Sequence, residues 1–376
     1  MTDTQQQQQE QGISPSPDPI FQMLTGFWVS KALMTAVELE VFTKLAGKSV
    51  NMQQLQKILE MENRPAKVFS TALVSLGLLS KVERRKSNGN IMAANEEQTE
   101  EQNDYYYYYS NSHLADTFLV KGKPGYMGDI ISMFDKRLYK SWDKLNQSLK
   151  TNKPIVQEEG GDAESIWEQA KSNQAIEQMK KFTHAMHGLS IGPAMALTKV
   201  FDFSTYNKMM DVGGGSGVYS IQVVKENPNM HAVVLDVNAV CQVANGYIEQ
   251  FNLQDKIQTQ ALDFFKEDLP EGCDLALLSH ILHDHSEEKG RLLLKKIYDS
   301  LLTGKKGAVI ISEWLLNDEK TGPQASALMG LNMIVETTGG RNYSFAEISE
   351  MLMGAGFNDI EKRPLAGPAE IIIGYK

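Results

Sequence analysis

The feature that most constrains the fold is a glycine-rich turn, Asp211-Val-Gly-Gly-Gly-Ser-Gly217, which directly follows an apolar, strand-like run. Glycines let the backbone turn sharply and let a ligand approach the start of the following helix. The turn is not the Gly-x-Gly-x-x-Gly dinucleotide fingerprint, because Val218 stands where the third glycine would be, and no Gly-Lys-Ser/Thr follows as in a phosphate loop. A strand, a glycine turn and a helix predict an α/β sheet with its ligand at the carboxyl edge.

Two further acids follow strand-like runs in chain order. Asp236 ends one run, and Asp263 comes after the next and is followed directly by Phe264. A carboxylate at the first of these positions can accept both hydroxyls of a ribose, and an acid beside an aromatic ring suits the amino group and the face of a purine. The glycine turn alone is a weak signal, but the ordered set predicts a nucleotide-type site made by Asp211, Gly213, Gly215, Asp236, Asp263 and Phe264.

Short apolar runs alternate with helical stretches in the last part of the chain. The runs lie at 208–212, 232–237, 257–261, 275–278 and 308–312. This alternation predicts a mostly parallel sheet covered by helices on both faces. Two closing runs, 359–364 and 370–374, are separated only by Leu365-Ala-Gly-Pro-Ala. That short spacing predicts a hairpin, and with it an antiparallel strand at the C-terminal edge.

The first part of the chain has a different character. Residues 1–18 are rich in Gln and then spaced by Pro, which predicts a disordered tail. Three helical patterns follow, which begin at Ile20, Met52 and Arg64. After them come two short runs, 78–82 and 91–92, that are spaced like the strands of a hairpin. Three helices and a hairpin predict a winged-helix module over 19–122. A helical connector follows over 123–200, and the alternating strands and helices make a further domain over 201–376.

Two details of this module lead to further predictions. The acidic run 94–104 is most simply a solvated insertion at the wing tip, and the tyrosines of 105–109 are a candidate for the returning strand. Phe21, Leu24 and Trp28 form an apolar stripe that a lone domain would leave in contact with water. We therefore expect a second copy of the chain to cover it in a two-fold dimer.

Composition excludes several classes of protein. Lys and Arg number 37 against 47 Asp and Glu, a net charge of −10, which disfavours nucleic acid as a partner. The longest apolar runs are strand-sized, which predicts no membrane span, and the first residues resemble no signal peptide. The only cysteines, Cys241 and Cys273, exclude a disulfide framework and fit a reducing cytoplasm.

Four motifs together resemble the class I S-adenosylmethionine-dependent O-methyltransferases of small molecules. They are Asp211–Gly217, Leu282-His-Asp-His-Ser-Glu-Glu, Ser312-Glu-Trp-Leu-Leu, and Gly339-Gly-Arg with the later Gly354-Ala-Gly-Phe357. Members of the plant caffeic-acid, hydroxyindole and bacterial tailoring types join a winged-helix dimerisation domain to a Rossmann-like catalytic domain. The resemblance covers residues 20–376. It implies S-adenosyl-L-methionine as cofactor, a homodimer, and an aromatic or polyketide-like acceptor with a hydroxyl from secondary metabolism.

The predicted chemistry needs a base at the acceptor. A phenol with a pKa of ~10 is mostly protonated at neutral pH, and removing such a proton is a common task of histidine. Three histidines, His280, His283 and His285, follow the fourth strand-like run. By resemblance His283 is the base, and Glu313 at the end of the next strand orients it. The three histidines could also bind a metal, but the resemblance implies none.

One departure from the family pattern leaves the reaction type open. The family commonly carries a second supporting acid after Gly-Gly-Arg, and this chain has Asn342 there. An asparagine can hold a ring nitrogen but supplies no charge, so Asp284 or Glu336 is an alternative. The loss also leaves open methylation at carbon or nitrogen, or an altered reaction. His285 stands where the family usually has Trp.

By resemblance, two helices line the site. Phe182 and Met186 would pack the acceptor ring, and Ser190 would lie near the methionine carboxylate of the cofactor. Ser279 matches another cofactor-contacting position. Met329, Asn332 and Met333 match the family's substrate-facing helix, although a methionine stripe at helical spacing is also typical of a core.

A different class, a winged-helix regulator, is the distant alternative. It needs a basic recognition helix, but residues 63–76 supply only Arg64 and Lys67 as cations. The sequence therefore favours an enzyme.

Overall fold

The computed structural model describes residues 15–85, 105–155, 173–302 and 307–376. The predicted tail up to residue 14, the run 91–92 and the whole acidic run 94–104 lie outside these ranges. The chain divides into two compact units, Met1–Ser132 and Met133–Lys376.

The first unit contains the three predicted helices and the predicted wing. Its elements are α1 (Asp18–Glu38), α2 (Val41–Lys44), α3 (Met52–Leu59), α4 (Asn63–Ser75), β1 (Leu79–Arg85), β2 (Tyr105–Asn111) and α5 (His113–Phe118). Asn51 caps α3 by accepting from the N–H of Gln54, which satisfies a donor that the helix start leaves free. The tyrosine run, β2, pairs antiparallel with β1 in register Leu79 to Asn111. The returning strand is therefore the tyrosine run.

Helix α1 leaves most of its apolar side chains exposed. Phe21 is 59% exposed and Trp28 63%, whereas only Met34, Ala36 and Val37 are buried. Of the described helices, α1 is the one whose length and composition would allow it to span a membrane. The sequence suggested only strand-sized apolar runs, because in α1 Gln, Thr and Ser interrupt the apolar residues. An exposed apolar face of this size marks an interaction surface.

Helices precede the sheet in the second unit. They are α6 (Gly128–Met133, which begins in the first unit), a π-helical turn (Phe134–Leu138), α7 (Tyr139–Trp142), α8 (Leu145–Thr151) and α9 (Asn173–Val200). Met133, the residue before the π-helical turn, keeps right-handed helical angles. The turn therefore runs on from α6 as a local bulge, a feature frequent at functional sites.

The sheet has seven strands in the order β5-β4-β3-β6-β7-β9-β8. Its elements are β3 (Lys208–Val212), α10 (Val218–Glu226), β4 (His231–Asp236), α11 (Asn238–Gln250), β5 (Ile257–Ala261), β6 (Leu275–Ser279), α12 (Glu287–Ser300), β7 (Ala308–Glu313), α13 (Gln324–Glu336), α14 (Phe345–Ala355), β8 (Asn358–Ala366) and β9 (Ala369–Tyr375). The first five strands run parallel and β9 runs antiparallel to β7. The predicted parallel sheet and closing hairpin are confirmed, with β8 as the outermost strand.

Alternate residues of each strand pack on opposite faces of the sheet. Met210, Val233 and Ile311 belong to one buried cluster, and Met209, Val234 and Ile310 to the other. A strand buried on both faces reads as a continuous apolar run, which is why the sequence located these strands within a residue or two. The strand order reverses between β3 and β6, and open α/β sheets bind ligands at such a switch point.

Candidate active site

The glycine turn after β3 forms one side of the switch point. Gly213, with φ of +67°, is in the left-handed region. A Cβ there would lie 2.3 Å from Cδ1 of Ile281, so the position also needs glycine for space. The N–H of Gly215 donates to Oδ2 of Asp236 at 3.0 Å. The turn thus places two of the predicted cofactor residues beside each other.

The two acids nearest this turn are buried but hold different partners. Asp236 accepts from the N–H groups of Gly215 and Val237, whereas Asp211 accepts from the hydroxyl of Ser220 at 2.7 Å. Burial raises the pKa of each carboxyl to about 6. Asp236 ends β4 at the edge of the sheet, whereas Asp211 lies within β3 and anchors α10. The other oxygen of Asp211, Oδ1, has no partner among the described residues.

Asp263 and Phe264 lie just beyond β5. The Asp263 carboxylate pairs with Lys266 at 2.8 Å and accepts from the N–H of Phe265 at 3.0 Å. Burial opposes ionisation, but these partners hold the pKa of Asp263 below its ordinary value. The ring of Phe264 packs against that of Phe265, 4.9 Å away, and lies near Gly213. The ring of Phe264 is therefore next to the glycine turn, whereas the Asp263 carboxylate is held by Lys266 and the Phe265 backbone.

The predicted base and its supporting acid are in direct contact. His283 lies in a 3-10 turn, Leu282–Asp284, after β6, and Glu313 ends the adjacent strand β7. Nδ1 of His283 is 2.6 Å from Oε2 of Glu313, and both side chains are buried. The backbone N–H of His283 also donates to Oε1 of Glu313. These two contacts fix the orientation of the imidazole and leave Nε2 as the ring nitrogen that does not contact Glu313.

A second carboxylate lies on the other side of the imidazole. Oδ1 of Asp284 is 3.4 Å from Nε2 of His283. Burial lowers the pKa of His283, but Glu313 and Asp284 outweigh burial and raise it to about 9. Burial opposes ionisation of Glu313, whereas His283 holds the pKa of Glu313 below its usual value. Glu313 is therefore ionised, and the pair favours a protonated imidazole.

The other two histidines of the motif are neutral. His280 has a positive φ of 56°, and its Nδ1 lies 3.9 Å from Oε2 of Glu313. Burial lowers the pKa of His280 and of His285 to about 4 each. Potential ligand atoms of His280, His283 and Glu313 lie within 4.8 Å of one another, so the absence of a metal remains a prediction. His285 packs edge-on against Phe265 at 4.7 Å, a role suited to the aromatic residue expected there.

Asn342 does not hold the imidazole, contrary to one expectation. Its amide nitrogen donates to the carbonyl of Trp314 at 2.7 Å, and its Oδ1 has no described partner. The chain around it lies against the base, because the N–H of Arg341 donates to the carbonyl of His283. Gly340 permits this approach, since a Cβ there would lie 2.5 Å from that carbonyl oxygen. Asn342 thus braces the backbone beside Glu313, and Asp284 is the acid nearest Nε2.

The residues of the predicted acceptor wall and Ser279 lie on α9, at the end of β6 and on α13. Phe182, Met186 and Ser190 lie half-buried along α9, and Ser279 is half-buried at the end of β6. Met329 and Asn332 are half-buried on α13, whereas Met333 is only 4% exposed and packs as a core residue. Their contacts with a cofactor or an acceptor remain predictions.

Two residues near this wall were missed from the sequence. Arg137, on the π-helical turn, forms an ion pair with Glu336 and lies 5.9 Å from the ring centroid of Phe182. Trp142 donates from its indole nitrogen to Oδ1 of Asn332 at 2.9 Å. Neither residue belongs to a recognisable motif, and a π-helical register is not readable from helical spacing.

The fold and these contacts define a class of protein: a Rossmann-like α/β enzyme with a glycine turn, an ordered set of strand-end acids and a buried His-Glu pair. Residues 142–358 match the O-methyltransferase domain model and residues 21–121 the O-methyltransferase dimerisation domain model. The chain therefore belongs to the O-methyltransferase family, whose members are S-adenosylmethionine-dependent methyltransferases. The predicted family, fold class, enzyme class and cofactor are confirmed.

Three relatives illustrate the family. The 3-hydroxy-5-methyl-1-naphthoate 3-O-methyltransferase of Streptomyces sahachiroi is 31% identical, over 96% of this chain and 95% of that protein. The tetracenomycin polyketide synthesis 8-O-methyl transferase TcmO of Streptomyces glaucescens is 29% identical, over 96% and 97%. The structure of human N-acetylserotonin methyltransferase in complex with SAM has a TM-score of 0.81 and 24% identity, covering 97% of this chain and 99% of that one.

Proposed function

We propose that this enzyme methylates a hydroxyl of an aromatic or polyketide-like small molecule, with His283 as general base and Glu313 as its support. The observation that carries the proposal is the 2.6 Å contact between Nδ1 of His283 and Oε2 of Glu313. It lies at the carboxyl ends of β6 and β7, beside the strand reversal where such sheets bind ligands. The two bacterial relatives described above are named for O-methylation of a naphthoate and of a polyketide product.

The base step uses atoms whose positions the fold fixes. The cofactor supplies a methyl group on a sulfonium, whose leaving thioether needs no proton. Neutral His283 accepts the proton of the acceptor hydroxyl at Nε2 as the hydroxyl oxygen attacks the methyl carbon. The N–H at Nδ1 stays protonated and donates a hydrogen bond to Glu313, so the imidazolium forms beside a carboxylate. Asp284 and Glu313 raise the pKa of His283 to about 9. The neutral base is therefore the minor form at neutral pH, and it becomes more abundant as the pH rises toward 9.

We assign the cofactor contacts as follows. Asp236, held at the sheet edge by two backbone N–H groups, accepts from the ribose hydroxyls. Asp263 and Phe264 hold the adenine, with Lys266 competing for the carboxylate. Gly213 and Gly215 let the backbone approach the cofactor, with Asp211 anchoring the helix beneath. Ser279 and Ser190 complete the set near the methionine end.

The acceptor wall and the assembly are also proposals. Phe182 and Met186 would pack one face of the acceptor, and Met329 and Asn332 the other, with Met333 supporting α13 from the core. A second copy of the chain would cover the exposed apolar face of α1, consistent with the match to a dimerisation domain. Light scattering should report about two chain masses at micromolar concentration, and a single chain mass would contradict the dimer. Two free, buried cysteines fit a cytoplasmic location.

The test is methyl transfer to a panel of phenols and naphthols, read by mass spectrometry. Each phenol is paired with its methyl ether, which has the same ring but no free hydroxyl. We expect one methyl group to be added to a hydroxyl oxygen, as located by tandem mass spectrometry, and no addition to the ethers. The His283→Ala variant should lose this activity while it still binds S-adenosylhomocysteine. Methylation at carbon or nitrogen, or of the ethers, would contradict the proposal.

A further inference from the structure

A charged cluster beside the base contains two buried acceptor atoms that lack donors. Glu336 ends α13, and its side chain is 8% exposed. One of its oxygens pairs with Arg137, but Oε1 has no hydrogen-bond partner among the described residues. Oδ1 of Asn342, a residue only 5% exposed, is also unpaired. Buried acceptors are nearly always paired, and leaving one unpaired destabilises the structure.

These atoms belong to the neighbourhood of the base. The charge of Asp284, which lies 3.4 Å from Nε2 of His283, raises the pKa of Glu336 after burial has already raised it. Burial raises the pKa of Asp284, and Arg137 opposes that rise. Asn342 follows Arg341, whose N–H donates to the carbonyl of His283. Glu336 is therefore within electrostatic range of the acid beside the base, and Asn342 is one residue away from a backbone group that bonds the base.

The sum of charges decides what kind of group fits there. Three carboxyl groups, those of Glu313, Asp284 and Glu336, share this cluster with one permanent cation, Arg137. Burial raises the pKa of Asp284 and of Glu336, and Arg137 opposes that rise. When His283 is neutral, as base catalysis requires, the cluster therefore carries no net positive charge and is rich in hydrogen-bond acceptors. A carboxylate brought next to it would be repelled, whereas a hydroxyl, an N–H group or an ammonium would be attracted.

Arg137 prepares Glu336 for this role. Their ion pair fixes the glutamate rotamer and favours its ionised form, and the guanidinium lies between Glu336 and the ring of Phe182. The Trp142–Asn332 hydrogen bond joins the same two segments, the stretch 134–142 and α13. Oε1 is thus held at the end of α13, next to the segments that carry the predicted acceptor wall.

We propose that Glu336 determines acceptor specificity. Its Oε1 accepts a hydrogen bond from a second donor on the acceptor, a hydroxyl or amino group near the hydroxyl that is methylated, and the site disfavours a carboxylate there. This inference rests on the proposed function, because it places the acceptor at His283. It concerns a different quantity, the choice among acceptors, and can be tested by binding alone.

The experiment measures the affinity of naphthols for the protein saturated with S-adenosylhomocysteine, by calorimetry. The series carries hydrogen, methoxy, hydroxyl, amino or carboxylate as its second substituent, either on the carbon next to the reacting hydroxyl or on the second ring. For at least one of the two positions, we expect the hydroxyl and amino members to bind about 10- to 100-fold tighter than the methoxy member, as for a hydrogen bond to a charged group. The carboxylate member should bind weakest.

Three variants and a control make the result specific. Glu336→Gln should lose the preference for the amino member and tolerate the carboxylate better. Glu336→Leu with Arg137→Met, which removes both charges at similar volume, should bind the donor-bearing and methoxy members equally. Glu350→Gln, at a glutamate whose side chain is 69% exposed, should behave as the natural chain. Thermal melting checks that each variant is folded.

The possible failures are distinguishable. If the donor-bearing members bind no tighter than the methoxy member, or do not bind, the specificity proposal is wrong. If the Glu336 variants keep the natural order of affinities, it is also wrong, whatever the rate of methyl transfer. Selective binding combined with full activity of His283→Ala would instead overturn the proposed base and leave the role of Glu336 supported.

Discussion

The two halves of the sheet's carboxyl edge hold their carboxylates in different ways. On the side where we propose that the cofactor binds, Asp236 is held by the backbone N–H groups of Gly215 and Val237. On the side where we propose that the acceptor binds, Glu313 and Glu336 are held mainly by the side chains of His283 and Arg137. One backbone donor thus belongs to the glycine turn and the other to the residue after Asp236, whereas the side-chain partners lie on other elements.

This difference indicates where substitutions can change the specificity for the acceptor. An acid held by backbone N–H groups keeps its position when neighbouring side chains are substituted. An acid held by a single side chain moves or loses its charge when that partner is replaced. We therefore expect substitutions on the cofactor side to alter affinity alone, and substitutions on the acceptor side to alter rate, pH dependence and choice of acceptor.

The largest effect should follow removal of the base. His283→Ala should lower the rate of methyl transfer by ~10²–10⁴, the usual contribution of a positioned base. The affinity for S-adenosylhomocysteine should stay the same, because no proposed cofactor contact is lost. Single-turnover methylation and calorimetry give the two quantities. Natural rates in the variant from pH 6 to 9 would disprove base catalysis by His283.

The matching change on the cofactor side is Asp236→Ala. Loss of its hydrogen bonds should weaken S-adenosylhomocysteine binding by roughly 2–3 kcal/mol. In the natural chain the affinity should also fall as the pH drops through about 6, the pKa to which burial raises Asp236, because ribose hydroxyls bind the ionised form best. Calorimetry across pH 5–8 tests both points. An unchanged affinity in Asp236→Ala would remove this residue from the site.

Glu313→Gln should have a smaller effect on rate, about 10- to 100-fold, because the imidazolium loses a charged partner but keeps a hydrogen bond. Combined with His283→Ala, it should add little, since the two residues act as one unit. Single-turnover rates of both single variants and the double variant provide the cycle. Fully additive losses would show that Glu313 acts independently of the base.

The smallest effect should be a shift in pH dependence. The Asp284 carboxylate raises the pKa of His283, so Asp284→Asn should lower that pKa. The neutral base then forms at lower pH, and the acid limb of the rate profile should move down by about one pH unit, equivalent to ~1.4 kcal/mol. A limb that stays in place or moves up would show that Asp284 does not act on the imidazole.

The sequence predicted the strands closely because each is buried on both faces and reads as an unbroken apolar run. It also placed His283 and Glu313 at neighbouring strand ends, and the structure joins them. It left the role of Asn342 open, and in the structure the amide of Asn342 donates to the Trp314 carbonyl. Spacing along the chain indicates which residues are near a site and not which partner a side chain selects. Arg137 was missed for the same reason.

The sheet, the glycine turn and the strand-end acids can be predicted from the sequence, because these features follow from local periodicity and from backbone geometry at glycine. The partners of Glu313, Glu336 and Asn342 are seen only in the tertiary structure. Those contacts join segments separated by many residues, and each depends on a rotamer and on burial that no local pattern specifies. The cofactor end of the site is thus a property of the chain's pattern, and the acceptor end is a property of its packing.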